Sequence, residues 1–310
     1  MKTKLKGGSL SGTYMIGDYI RKECRIDTNR EYGYQRWYSQ LKRMQRYNQM
    51  FPGLFPQVLR YGLDGNVAYF DMLKVDGITA YEFLKNEKDS AEIDKFYHKL
   101  IVATQILHSI QMPSTPGISA LYFTEEVEQK LYSCQSNLKF WNFLKYTKIY
   151  FNGVEIVPLA YNLRKFSELF EKTYKETTEH YTHGNMTLEN ILYHQESGIV
   201  TFIDPYEENV IDSKLADYSQ IMQSCNSRYE MYNEADVIIE DNHIYSYIGK
   251  NTGLKYFNEK FREYVGEERM PTVRLLEISQ FVRMLPFKMN VDEKKMFLFY
   301  GLASKMLNDI

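Results

Sequence analysis

At 310 residues the chain is long enough for one large domain or for two lobes with a sizeable core. Hydrophobic residues are 44% and charged residues 25%, the balance of an ordinary soluble globular protein, and a net charge of −2 gives no electrostatic case for nucleic acid or an anionic membrane as partner. Three widely spaced cysteines, Cys24, Cys134 and Cys225, argue against a disulfide framework and a zinc site and fit a reducing, cytoplasmic compartment. The opening residues Met1-Lys2-Thr3-Lys4-Leu5-Lys6 have no apolar core behind them, so no signal peptide is expected, and no apolar run is long enough to span a bilayer.

Residues 5–26 read as a β-hairpin, with Gly7, Gly8 and Gly12 punctuating the first turn and 19–26 as its second strand. Residues 29–49 read as a helix, because Trp37, Leu41, Met44 and Asn48 recur at i, i+4, i+7 and i+11, and Pro52-Gly53 stops it. Two strands, 58–62 and 67–73, flank a turn at Asp64-Gly65-Asn66, and a break follows at Val75-Asp76-Gly77. Beyond it the chain turns mainly helical. Ile93, Phe96, Leu100, Ala103, Leu107 and Ile110 mark a long buried helix, Thr124-Glu125-Glu126 reads as the N-cap and first turn of another, and 160–178 gives a third. A polar loop, 183–190, leads into strands 191–194 and 199–204. A helix over 214–225, a hairpin around Asp241-Asn242-His243 and helices over 255–265, 271–285 and 292–308 complete the chain.

The order is a small β-rich N-terminal lobe with one helix, residues 1–75, and a larger helical lobe, residues 76–310, with the polar loops where the two would meet. The chemistry concentrates in His183-Gly184-Asn185-Met186-Thr187-Leu188-Glu189-Asn190 and in Thr201-Phe202-Ile203-Asp204-Pro205. An Asn and an Asp fall at neighbouring strand ends, where both can hold a metal beside a phosphate. Magnesium prefers oxygen ligands, which an Asn carbonyl and an Asp carboxylate supply.

These residues in this order resemble the aminoglycoside phosphotransferase and choline kinase family, within the protein-kinase-like fold. The family's catalytic loop, H-G-D-x-x-x-x-N, stands here as His183-Gly184-Asn185 and Asn190, its metal strand I-D as Ile203-Asp204, and its later helix Asp as Asp217 in Leu215-Ala216-Asp217-Tyr218. The resemblance implies an α+β, bilobal fold, ATP and magnesium as cofactors, and a small hydroxylated acceptor such as a sugar, a sugar nucleotide or an amino alcohol. It implies metal ligation by Asn190 and Asp204, loop orientation by His183 and Asp217, and phosphate cover from Gly8, Ser9 and Gly12. It also implies a phosphate-binding lysine, Lys22, with Arg21 as the alternative because one residue of strand register reverses the face. Asp71-Met72-Leu73 takes the place of the adenine-binding hinge. The glutamate that pairs with such a lysine has no clear counterpart: Gln40 lies on the inward helix face without a charge, and Glu31 is charged but sits at the helix start. The segments 203–205, 217–224 and 283–288 also look similar to kinase-like proteins of capsule and surface-polysaccharide biosynthesis.

One position departs from the pattern. Asn185 stands where the family has its catalytic Asp, and an amide is not a useful base. Three explanations stay open: an engineered Asp→Asn change, a naturally weakened enzyme or nucleotide-binding pseudokinase, or a base supplied by Glu189, Glu207, Glu208 or Asp212. Oligomerisation through exposed tyrosines and methionines is a further possibility.

Overall fold

Strand β3 (Tyr19–Arg25) lies at the middle of a five-stranded antiparallel sheet ordered β1 (Lys2–Lys4), β2 (Gly12–Ile16), β3, β5 (Val67–Leu73), β4 (Val58–Asp64). The computed structural model describes residues 2–5, 11–26, 33–206 and 209–310. The expected hairpin is present, but its tight turn is Gly17-Asp18, between β2 and β3. Of the glycines expected in the first turn, Gly7 and Gly8 lie outside the described residues, and Gly12 opens β2 opposite Glu23. Strand β5 has the predicted bounds because Val67-Ala68-Tyr69-Phe70 alternates half-buried and buried positions, the period of a pleated strand.

Helix α1 (Gln35–Met50) buries Trp37, Leu41 and Met44, as the spacing predicts. Each such side chain withdrawn from water is worth about 1.5–3 kcal/mol. The Trp37 ring packs on Phe70 with centroids 5.6 Å apart, and its Nε1–H donates to the Lys22 carbonyl at 3.2 Å. The buried stripe continues through Arg43 and Tyr47 and leaves the predicted Asn48 half-buried. Asn48 ties the next connection down instead: its Oδ1 accepts from the Val58 amide at 2.8 Å and its Nδ2 donates to the Pro56 carbonyl at 3.0 Å.

Contacts group the chain into two compact units, Met1–Ile110 with Tyr181–Asn209, and Gln111–His180 with Val210–Ile310. The first unit also holds β6 (Ile78–Thr79), α2 (Ala80–Asn86) and α3 (Ser90–Leu107). Both helices begin at side-chain caps: Thr79 accepts from the Glu82 amide at 3.1 Å and Asp89 from the Ala91 amide at 2.9 Å. Helix α3 ends at Leu107, short of Ile110, which is exposed. Strands Ile199–Phe202, Ile191–His194 and β6 form a three-stranded antiparallel sheet in the same unit.

The second unit is mainly helical, over Leu159–Thr173, Lys214–Cys225, Thr252–Val265, Met270–Arg283 and Glu293–Asn308. The helix expected to start at Thr124 begins earlier. Ile118–Tyr122 runs into a π-turn at Phe123–Glu128 and on into Gln129–Ser133, so Thr124 is an interior position. Tyr122, Phe123 and Val127 are all buried there, and this apolar anchoring overrides the capping signal of Thr124. The expected hairpin near 241 is present as Ile238–Glu240 and His243–Tyr245, and it joins Ile149–Phe151 and Val154–Ile156 in a four-stranded sheet that the sequence reading did not anticipate. The chain is thus of mixed α+β class, with a β-rich N-terminal sheet and a helical C-terminal part. All three cysteines are buried and free. Among the described residues no helix is long and apolar enough to cross a membrane.

Candidate active site

Successive residues of a strand face opposite sides of a sheet. On β3 this sends Arg21 and Lys22 to different surroundings. Arg21 donates from Nε and Nη2 to the two oxygens of Asp71, at 2.7 and 2.9 Å, and Arg60 of β4 donates to Asp71 Oδ2 at 2.6 Å. Asp71 is fully buried. Burial works to raise its pKa, but the hydrogen bonds and charges of the two guanidiniums outweigh it and hold the carboxyl below the usual carboxylate range. Lys22 turns the other way. It is 2% exposed, and its Nζ donates to Asp204 Oδ1 at 2.9 Å, across 182 positions of sequence.

Asp204 follows strand Ile199–Phe202 with a left-handed backbone, φ +55°. That conformation is costly for most L-residues and less so for Asp. It is held from several sides. The Ile203 amide donates to the Asn190 carbonyl at 2.9 Å and the Tyr206 amide to the His183 carbonyl at 2.8 Å. His183 is fully buried, stacked on Phe55 at 6.1 Å and edge-on to Phe202 at 5.8 Å. Its Nε2 lies 2.8 Å from the Ile203 carbonyl, and its Nδ1 accepts from the Asn185 amide at 3.2 Å. A carbonyl only accepts and an amide N–H only donates, so the ring is neutral with its proton on Nε2. His183 therefore fastens the backbone before Asn185 to the backbone before Asp204.

Gly184 makes this approach possible. Its φ is +75°, and a Cβ there would lie 2.5 Å from the Tyr206 carbonyl oxygen and closer still to Asn209 Nδ2. Asn190 closes the loop, with Nδ2 donating to the Asn185 carbonyl at 2.8 Å and to Thr187 Oγ1 at 3.2 Å. Its amide nitrogen thus serves the loop, leaving Oδ1 as an oxygen donor. Among the described residues Asn190 Oδ1 and Asp204 Oδ2 accept no hydrogen bond, and the Asn185 side-chain amide makes none. One carboxylate oxygen and one amide oxygen are the hard donors a magnesium ion takes, with water and phosphate oxygens completing its shell. Among the described residues no group of three His, Cys, Asp or Glu side chains gathers for a metal.

Lys22, His183, Asn185, Asn190 and Asp204 all belong to the first compact unit. Asp217 belongs to the second, where it is fully buried in the first turn of helix Lys214–Cys225, whose N-cap Ser213 accepts from the Leu215 amide at 3.1 Å. Gly12 packs against the ring of Tyr14, 2.7 Å from where its Cβ would be, and Gly8 and Ser9 lie outside the described residues. Leu73 ends β5 half-exposed; its amide donates to the Gln57 carbonyl at 2.8 Å and the next, of Lys74, to the Asp18 carbonyl at 3.2 Å.

The sequence reading missed Arg43. It is 2% exposed on α1 and reaches the segments on both sides of the site, donating from Nη1 to the Tyr206 carbonyl, from Nη2 to the Thr182 carbonyl at 2.6 Å and from Nε to Tyr47 Oη at 2.9 Å. Its only sequence signal is its place between Leu41 and Met44 on a helix face that is otherwise apolar. Gln40, the uncharged residue on that face, donates to the Pro205 carbonyl at 3.2 Å.

No protein-family model matches the sequence, and no curated protein matches it. Among the solved structures that match is an aminoglycoside-3'-phosphotransferase of type VIII, at 15% identity and a TM-score of 0.48, over 89% of this chain and 93% of that one. The two chains are comparable in extent, and the likeness is too distant to carry activity or substrate across.

Proposed function

We propose that the chain is a nucleotide site of protein-kinase-like type that transfers phosphoryl groups from ATP, with magnesium, to a hydroxyl of a small molecule such as a sugar, a sugar nucleotide or an amino alcohol. The observation that carries this reading is the Lys22–Asp204 contact, 2.9 Å between a buried strand lysine and a carboxylate beside the 183–190 loop. Such a transfer needs little covalent help from protein. It needs cations to neutralise the phosphates, and fixed groups to align the acceptor. Lys22 supplies a cation on a rigid strand, and Asn190 Oδ1 with Asp204 Oδ2 would hold the magnesium, which when bound neutralises charge on the phosphates. The side-chain amide of Asn185 would hydrogen-bond an acceptor hydroxyl without taking its proton.

Asn185 supports a second reading. A site that keeps its lysine and oxygen donors but lacks a base can bind nucleotide with little or no turnover, as a scaffold or regulator would. The two readings share nucleotide binding and differ in turnover. Thermal unfolding with ATP, with and without Mg²⁺, tests what they share: magnesium-dependent stabilisation is expected, since a ligand that binds only the folded state raises its stability. No stabilisation would sink both. ADP release from the chain and from Asn185→Asp, with sugars and amino alcohols as acceptors, then separates them, because the enzyme reading expects the Asp form to turn over and the scaffold reading expects neither to.

A further inference from the structure

Helix α1 carries no acid aimed at Lys22 among its described residues; it reaches the site through backbone carbonyls instead. Gln40, Arg43 and Tyr47 stand at i, i+3 and i+7, on one face of the helix. Gln40 Nε2 donates to the Pro205 carbonyl, Arg43 to the Tyr206 and Thr182 carbonyls, and Tyr47 Oη to the Thr182 carbonyl at 2.6 Å. Thr182 immediately precedes His183, and Pro205 and Tyr206 immediately follow Asp204. One guanidinium therefore grips both ends of the segment that contains the loop and the metal-binding carboxylate.

We propose that Arg43 is a positioning residue that sets the Asp204 turn for magnesium, taking through carbonyls the part that an acid–lysine pair would play. This rests on the nucleotide-site reading above. Three facts point the same way. Asp204 sits in a left-handed conformation that local sequence alone does not enforce. The Tyr206 carbonyl that Arg43 grips also accepts from Asn209 Nδ2 at 3.0 Å and lies against Gly184, so a shift of Tyr206 would reach the loop directly. The guanidinium is buried, where a charge-assisted hydrogen bond to a carbonyl is strong, and its planar fork spans two carbonyls that the single nitrogen of a lysine cannot hold in the same way.

The test compares the parent chain with Arg43→Lys, Arg43→Gln and Gln40→Ala. Calorimetric titration gives the dissociation constant of ATP with and without Mg²⁺, and thermal unfolding gives stability. A purely structural role lowers the unfolding temperature and leaves the magnesium enhancement, the ratio of the two constants, unchanged. The proposal expects that enhancement to fall about tenfold in Arg43→Gln, the equivalent of one charged hydrogen bond, and less in Arg43→Lys. Gln40→Ala removes a half-buried contact to the same turn and is expected to lower the enhancement in the same direction; it decides the matter should Arg43→Gln not fold. An unchanged enhancement in the folded variants, with the parent still magnesium-dependent, overturns the role of Arg43 alone. A parent with no magnesium-dependent binding overturns the nucleotide-site reading and this proposal together.

Discussion

Lys22 Nζ and Asp204 Oδ1 stand 2.9 Å apart with unequal exposure, the lysine side chain at 3% and the aspartate at 37%. The ammonium is the deeper partner, and the carboxylate closes it off from water while keeping one oxygen open. Removing the aspartate leaves a buried cation facing a neutral group, whereas removing both leaves no charge to desolvate. Asp204→Asn is therefore expected to cost about 1–3 kcal/mol. Lys22→Met in the Asp204→Asn background is expected to recover part of that cost. Urea unfolding of the two single variants and the double variant checks this, and additive costs would contradict it.

If the chain is a phosphotransferase as proposed, Asn185→Asp is expected to raise phosphoryl transfer by about 10²–10⁴-fold, the usual contribution of a positioned general base. ATP affinity is expected to change little, since the loop is held through backbone groups and Asn190, not through the Asn185 side chain. The check is ADP release in the presence of a panel of hydroxylated acceptors. An Asn185→Asp chain that binds ATP but stays silent with every acceptor would favour the scaffold reading.

The Asp71 carboxyl, between Arg21 and Arg60, gives the first unit a pH-dependent element. Its folded pKa is below its unfolded one, so its stabilising contribution is complete above the unfolded value, near pH 4, and is lost as acidification carries the pH down through the folded value. Asp71→Asn is expected to cost about 1–3 kcal/mol at neutral pH. The difference from the parent should narrow progressively below about pH 4. Denaturant unfolding across that range measures it, and a constant gap would show that the carboxylate's charge is not what stabilises.

Gly184→Ala combines a positive φ with a clash against the Tyr206 carbonyl and Asn209. Backbone cannot yield as a side-chain tip can, so a loss of about 1–3 kcal/mol is expected, with loosening of the loop from 183 to 190. Hydrogen exchange at the Asn185 and Tyr206 amides, which donate to His183, should speed up; unchanged protection there would refute the geometry.

Much of the local structure was legible because it follows from patterns within a few residues of one another. The alternation of 67–70 and the 3.6-residue spacing of Trp37, Leu41 and Met44 each report a buried face directly, whereas the helix over 214–225 is buried on every side from Leu215 to Cys225. The polar loop 183–190 and the strand leading to Asp204 were equally visible, since a polar run ahead of two short apolar strands marks them. The start of the helix at Ile118 was not, because Thr124 offers the same local signal inside a helix as at its end.

Tertiary structure alone decided the rest. Arg21 and Lys22 are neighbours of the same charge, and only the register of β3 against β5 sends one to Asp71 and the other to Asp204. Arg43 reads as a surface charge until α1 is placed, because its partners are backbone carbonyls 139 and 163 positions away. Every residue carries a carbonyl, so a side chain that binds one leaves no mark on its partner's identity. Sequence determined which charged and polar groups this protein carries, and packing across long stretches of chain determined which of them meet.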